Sequence, residues 1–149
     1  MASNTILLKG DGLHGEGVAN AAITPGDLIE RMSTGKLRKH ATAAANALPM
    51  FAIENEVIGD GIDDNYAAND NCLYIIPQRG SWVYARLAAA AAAIVIGDYL
   101  ESAGDGTLRK AAVDAATDNT QRVSIVARAL EAVDNSGGGS AVRIKVEVI

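Results

Sequence analysis

The sequence predicts an all-β protein: a small β-barrel or β-tulip-like module built from two related hairpin units, with an extended N-terminal arm. Three observations predict it. Residues 23–41 (ITPGDLIERMSTGKLRKHA) recur without a gap as residues 94–112 (IVIGDYLESAGDGTLRKAA), with nine of nineteen positions identical. Each copy reads as a Gly-Asp turn, an apolar-polar run, a Gly-containing turn and a second short run, which is a hairpin pattern and not a helical one. The C-terminal AVRIKVEVI alternates Val142, Ile144, Val146 and Val148 with Arg143, Lys145 and Glu147, the signature of a half-buried strand. Finally, about nine short runs are separated by Gly-rich turns, with no long amphipathic helix among them.

Along the chain, residues 5–9 (TILLK) read as a strand. Residues 10–22 are Gly-rich, so 1–22 is expected to be an irregular arm and 23–149 the β domain. Pro25-Gly26-Asp27 turns the chain, Leu28–Met32 and Leu37–His40 form a hairpin across Ser33–Lys36, and PMFAIENEV (49–57) is the next strand candidate. CLYIIP (72–77) and SWVYARL (81–87), separated by Gln78-Arg79-Gly80, are expected to pair as the central hairpin. Ala88–Ala93 is a connector with room for one or two helical turns. After the second copy, 113–121 reads as a polar link. RVSIVARALEAV (122–133) fits helix or strand, with its analogue FAIENEV favouring strand, and 134–140 (DNSGGGS) as a flexible loop.

Composition narrows the function classes. At 149 residues one domain is the default. The 49% hydrophobic fraction contains 28 alanines and six aromatics, so the core must come from Ile, Val and Leu. Cys72, the single cysteine, excludes an intrachain disulfide. A net charge of −5 argues against nucleic-acid binding. No apolar run of about 18 residues predicts a membrane span, and the N-terminus lacks a signal-peptide layout, so cytosolic synthesis is expected. Between Lys39 and Arg79 there are six acids and no Lys or Arg, whereas each repeat hairpin ends on Leu-Arg-Lys. One surface is therefore expected to be acidic and another locally basic, or both are ordinary solvated loops.

Motifs that carry chemistry are scarce. Gly10-Asp11-Gly12-Leu13-His14-Gly15 matches G-x-G-x-x-G, but Pro25 arrives too early for the helix a nucleotide site needs. Asp60, Asp63, Asp64 and Asp70 supply oxygen ligands without EF-hand spacing, so Asx turns are the simpler reading. One Cys and two separated His, His14 and His40, do not make a zinc site, and Cys72 reads as a small core residue. Glu30 and Glu101 imitate a carboxylate pair, yet each lies in register to pair across its hairpin with Arg38 or Lys39, and with Arg109 or Lys110. No enzyme activity, cofactor or metal is expected.

Several linked segments carry a resemblance: AITPGDLIE (22–30), LRKHATAAANALPMFAIENEVIGDGIDDNY (37–66), IPQRGSWVYARL (76–87) and IGDYLESAGDGTLRK (96–110). Together they resemble the small head decoration, or cement, proteins of tailed bacteriophages. The resemblance implies a β-barrel or β-tulip module that binds the major capsid protein on the outside of an icosahedral head. It implies a homotrimer, with a dimer as the alternative, no catalysis, and a place on the virion surface. It supplies no residue-level motif, so candidate contacts are read from strands and hairpin ends. These are Ile6, Leu7, Leu8 and His14 near the arm, Arg38, Lys39, Arg109 and Lys110 at the hairpins, and Ile144 and Val146 in the last strand. Residues 1–22 are expected to touch the shell and the hairpin ends to touch sister copies. The alternative is a non-catalytic barrel domain binding carbohydrate or another surface ligand, with Tyr66, Tyr74, Trp82 and Tyr84 as a stacking surface. An enzyme accessory domain is a third option.

Overall fold

A computed structural model describes residues 3–112 and 123–149. It contains, in order, β1 (Leu7–Lys9), β2 (Gly12–Val18), β3 (Ile29–Arg31), β4 (Leu37–Lys39) and β5 (Phe51–Ala52). A 3₁₀ turn (Glu56–Ile58) follows, then β6 (Asn71–Pro77), β7 (Trp82–Leu87), β8 (Tyr99–Ser102), β9 (Leu108–Lys110), β10 (Ile125–Ala129) and β11 (Val142–Val148). The protein is all-β, as expected. Strands β7, β11, β10, β8 and β9 form a closed five-stranded barrel. Its pairings are antiparallel except the closing β7–β9 contact, which is parallel at Leu87 and Leu108.

The alternation in β7 and β11 explains the barrel. Val83, Ala85 and Leu87 point inward with Ile144, Val146 and Val148, and all are buried. Leu100, Leu108, Val126 and Ala129 complete the filling, so the interior is packed rather than open. Each fully buried Leu or Ile contributes roughly 1.5–3 kcal/mol relative to exposure. A second sheet, ordered β2-β6-β5, packs against the β3–β4 hairpin through Ala19, Ile23, Ile29, Leu37, Ala52 and Cys72.

Several expectations need correction. β6 and β7 are not a hairpin. β6 lies in the second sheet and β7 in the barrel, and the turn between them, closed by Ser81 N–H donating to Gln78 O with Gly80 at φ +90°, carries the chain from one sheet to the other. β2 and β1 make the same passage alongside them: β2 pairs with β6 from Gly12↔Pro77 to Val18↔Asn71, and β1 with the start of β7. At the corner Gly10 adopts φ +96°, and a Cβ there would lie 2.3 Å from Ser81 Oγ. Glycine is thus needed for the close approach of the two turns. Residues 12–18 are therefore an ordered strand, not an irregular arm, and no helix follows the Gly-rich motif. The sequence missed this because Gly12, Gly15 and Gly17 leave only half of the alternation readable. Gly15 is glycine because the Tyr74 ring lies over it; a Cβ would sit 2.5 Å from that ring.

Ala88–Ala93 forms a turn with Ala90 at φ +53° and no helix. The backbone there is bonded elsewhere: Ala88 N–H donates to Leu108 O and Ala90 N–H to Gly138 O. The 134–140 loop is anchored by buried Asn135, whose Nδ2 donates to Ala88 O and Ser140 O. Residues 125–129 are strand, in line with the FAIENEV analogue. The polar link 113–121 lies outside the described residues.

Candidate interaction surfaces

The repeat is structural, and its two copies share one hydrogen-bond plan. Thr24 N–H donates to Asp27 Oδ2 at 2.8 Å, and Val95 N–H donates to Asp98 Oδ2 at 2.9 Å. Gly26 N–H reaches Ala52 O at 2.8 Å, and Gly97 N–H reaches Ala129 O at 2.9 Å. Both glycines sit at positive φ, +94° and +93°. In the hairpins, Glu30 pairs in register with Arg38 at 2.8 Å and Glu101 with Arg109 at 3.0 Å, as the spacing predicts. Lys39 reaches Asp27 at 3.6 Å, and Lys110 reaches Asp98 at 3.0 Å.

The copies differ in what lies on top of them. The first Gly-Asp turn is buried against the outer face of β7 and β11. There Arg86 and Arg143 stand directly opposite each other, a repulsive pairing by itself. The turn answers both cations: Arg86 donates to Asp27 Oδ1 at 3.0 Å and Arg143 to Pro25 O at 2.8 Å. Arg143 also donates to Ile62 O and lies 3.5 Å from Asp63. The second turn is open. Val95, Ile96 and Tyr99 are exposed, Ile96 by 70%, and, chain neighbours aside, no atom of the described residues lies within 4 Å of where a Gly97 Cβ would stand. The hairpin tips are reversed. Gly106 packs on Lys39 and Asp27, and Gly104 on Ala43, while a Cβ at Gly35 would meet nothing within 4 Å among the described residues beyond its chain neighbours.

This geometry sorts the candidate contacts. Ile6, Ile144 and Val146 are fully buried in the barrel core, which removes them as contact residues. β11 is hydrogen-bonded on both sides and offers no free edge. Arg38, Lys39, Arg109 and Lys110 are partly exposed but engaged in the pairs above. Of the hairpin ends, only the first tip is open, because the second caps its sister copy. Leu7 and Leu8 are half-buried. His14 is exposed on β2, 3.4 Å from Asp11.

β2 is an edge strand of its sheet. Asp11 O accepts from Gln78 and Ala19 N–H donates to Asp70 O. Odd-numbered residues therefore face β6, and the backbone groups of His14 and Glu16 face outward. Leu13, 72% exposed, lies on this strand.

Two groups of a chemically reactive type, His40 with Ser102 and the Cys72 thiol, are buried. His40 brings the two copies together: its Nδ1 lies 2.8 Å from Ser102 Oγ and its Nε2 3.1 Å from Asn46 O. A carbonyl only accepts, so Nε2 carries a proton, and in the neutral ring the serine hydroxyl donates to Nδ1. Glu30 lies 3.7 Å from Nε2. The serine of this Ser-His-Glu set is fully buried, and its Oγ also accepts the Gly104 N–H. The cavity of about 220 Å³ beside His40 is not lined by Ser102. The set is thus a joint between the hairpins: Glu30 and His40 line the cavity, while the serine is closed off from it. Burial pushes the Cys72 thiol up to about 12, so it stays protonated. In the acidic loop, Asp64 accepts the Gly61 N–H and Asp70 the Ala67 N–H, each three residues back along the chain, whereas the expected Asx turns would bond the N–H two residues on. Among the described residues no cluster of three or more His, Cys, Asp or Glu is placed to hold a metal.

The aromatics do not form one open face. Tyr66 is buried and donates to Ile53 O at 2.6 Å. Lys9 covers Trp82, Arg31 covers Tyr74 and Arg143 covers Tyr84, at 4.7, 5.9 and 5.7 Å from the ring centres.

The sequence did not single out Val95, Ile96, Tyr99 or Leu13. The only available signal was that Thr24, Pro25 and Leu28 are replaced by larger apolar residues in the second copy. No protein-family model matches the chain, and no curated protein matches it.

Proposed function

We propose that this protein decorates the outside of an icosahedral bacteriophage head, binding the major capsid protein and sister copies to tie capsomers together. The role is non-catalytic, without cofactor, nucleic acid or membrane. The observation that carries the reading is the set of linked segments by which the sequence resembles head decoration proteins. Those segments also touch one another. Gly26 N–H donates to Ala52 O, Asp27 accepts from Arg86, and Leu28 N–H donates to Gly106 O. The resemblance therefore falls on one connected unit rather than on scattered turns.

The physical demands of the role support it. A cement module has to be rigid and has to present surface its own chain does not cover. Among the described residues no buried side-chain polar atom lacks a partner, and the β2 edge and the second Gly-Asp turn are both open. Weak contacts at such surfaces add up when one particle offers many sites. The carbohydrate alternative draws no support from the covered aromatics.

The test is co-sedimentation with expanded, undecorated phage heads, with light scattering of the free protein. Saturable, stoichiometric binding is expected. Absence of binding to every cognate shell overturns the reading.

A further inference from the structure

The internal repeat supplies a template for what covers the open turn. In the first copy, two acceptors are filled by guanidinium groups from a neighbouring strand pair: Asp27 Oδ1 by Arg86 and Pro25 O by Arg143. In the second copy the backbone is the same, and Asp98 Oδ2 is likewise occupied, by Val95 N–H and Lys110. The counterparts of the other two acceptors, Asp98 Oδ1 and Ile96 O, take no hydrogen bond among the described residues. Around them lie exposed Val95, Ile96 and Tyr99. We infer that the second Gly-Asp turn is a docking site for a partner protein that presents arginine from a strand face, to Asp98 and the Ile96 carbonyl.

Charge complementarity chooses this occupant. Arginine suits it better than lysine because its planar fork serves two acceptors at once, as Arg143 serves the Pro25 and Ile62 carbonyls. A second copy of this chain does not supply the same surface, because its own Arg86 and Arg143 are already engaged. The apolar rim adds the water-excluding contact that makes a polar centre specific. The inference deepens the proposed function by naming the surface and the partner chemistry, but its first test does not depend on the capsid reading.

That test is an amide NMR titration of the whole protein with N-acetyl-arginine amide, and with the lysine analogue as control. Saturable shifts at Gly97, Asp98 and Tyr99 are expected with arginine. They should be at least about threefold weaker with lysine and lost in Asp98→Asn. No localised shift, or shifts that persist in Asp98→Asn, overturns the inference. The second arm compares Ile96→Asp with Lys36→Glu at the open first tip for binding to undecorated heads. A loss of about tenfold or more in Ile96→Asp alone supports the site. Equal binding by both variants removes it from the capsid contact. If the unmodified protein fails to bind heads, the capsid reading falls while the titration still decides the inference.

Discussion

The two copies of the repeat follow one hydrogen-bond plan and meet opposite fates. The first copy buries its Gly-Asp turn and exposes its hairpin tip; the second exposes the turn and buries the tip. Nothing in the nine shared residues requires this, since both copies complete their local bonds alone. The difference comes from their places in the chain. The first turn lies over the like-charged Arg86 and Arg143, and the second tip lies over Asp27 and Lys39. A motif can thus be a structural clamp in one place and an available surface in another.

Equivalent substitutions in the two copies test this contrast. The largest effect is expected at the aspartates. Asp27→Ala leaves Arg86 partly buried without its carboxylate and should cost about 3–5 kcal/mol. Asp98→Ala, at an open turn, should cost about 1 kcal/mol or less. Urea denaturation of both variants measures the difference, and equal losses would refute it.

The glycines come next. Both Gly26→Ala and Gly97→Ala force a Cβ into positive φ, at about 1–2 kcal/mol. Only the first also drives that carbon to 2.6 Å from Arg143 Nη1 and 2.9 Å from Tyr84 O. A further loss of about 1–3 kcal/mol is expected there. Thermal unfolding should rank Gly26→Ala clearly below Gly97→Ala.

A smaller contrast separates the hairpin ion pairs. Glu101 is nearly fully buried and also meets Ser124 Oγ at 3.5 Å, whereas Glu30 is part-exposed. Double-mutant cycles should give about 1–2 kcal/mol for Glu101–Arg109 and about 0.5 kcal/mol for Glu30–Arg38. Equal coupling energies would mean that burial does not distinguish the pairs.

The smallest effect is an acid dependence. The Val95 N–H, aided by Lys110, holds the Asp98 carboxyl below its ordinary value. A carboxyl depressed in the folded state adds stability above its unfolded pKa of about 3.9, and that stability is lost as pH falls through the folded value. Burial alone would raise the Asp105 carboxyl, but the Thr107 hydroxyl and N–H bonds lower it, so it acts in the same direction. The Tm gap between the unmodified protein and Asp98→Asn should therefore narrow on titrating from about pH 5 to pH 2. A gap that widens would contradict the assignment.

Much of this was legible before the fold was known. The all-β class, both repeat hairpins, their Glu–Arg pairs and the last strand follow from period-two alternation, turn residues and cross-strand spacing. All of these act over a few residues. β2 was not legible, because three glycines interrupt its alternation and its order comes from β6. Nor was the passage from β6 in one sheet to β7 in the other, since a Pro and a Gly-containing turn mark a hairpin and a sheet crossing alike. His40 and Ser102, 62 positions apart, carry no shared signal in sequence.

The sequence by itself therefore determined the local conformations, because turns and strand pairs are set by φ preferences and by neighbours within one hairpin. Only the tertiary structure decided which copies of those conformations are covered. Burial depends on where distant strands bring their side chains, and here two arginines on β7 and β11 settle on the first turn and leave the second open.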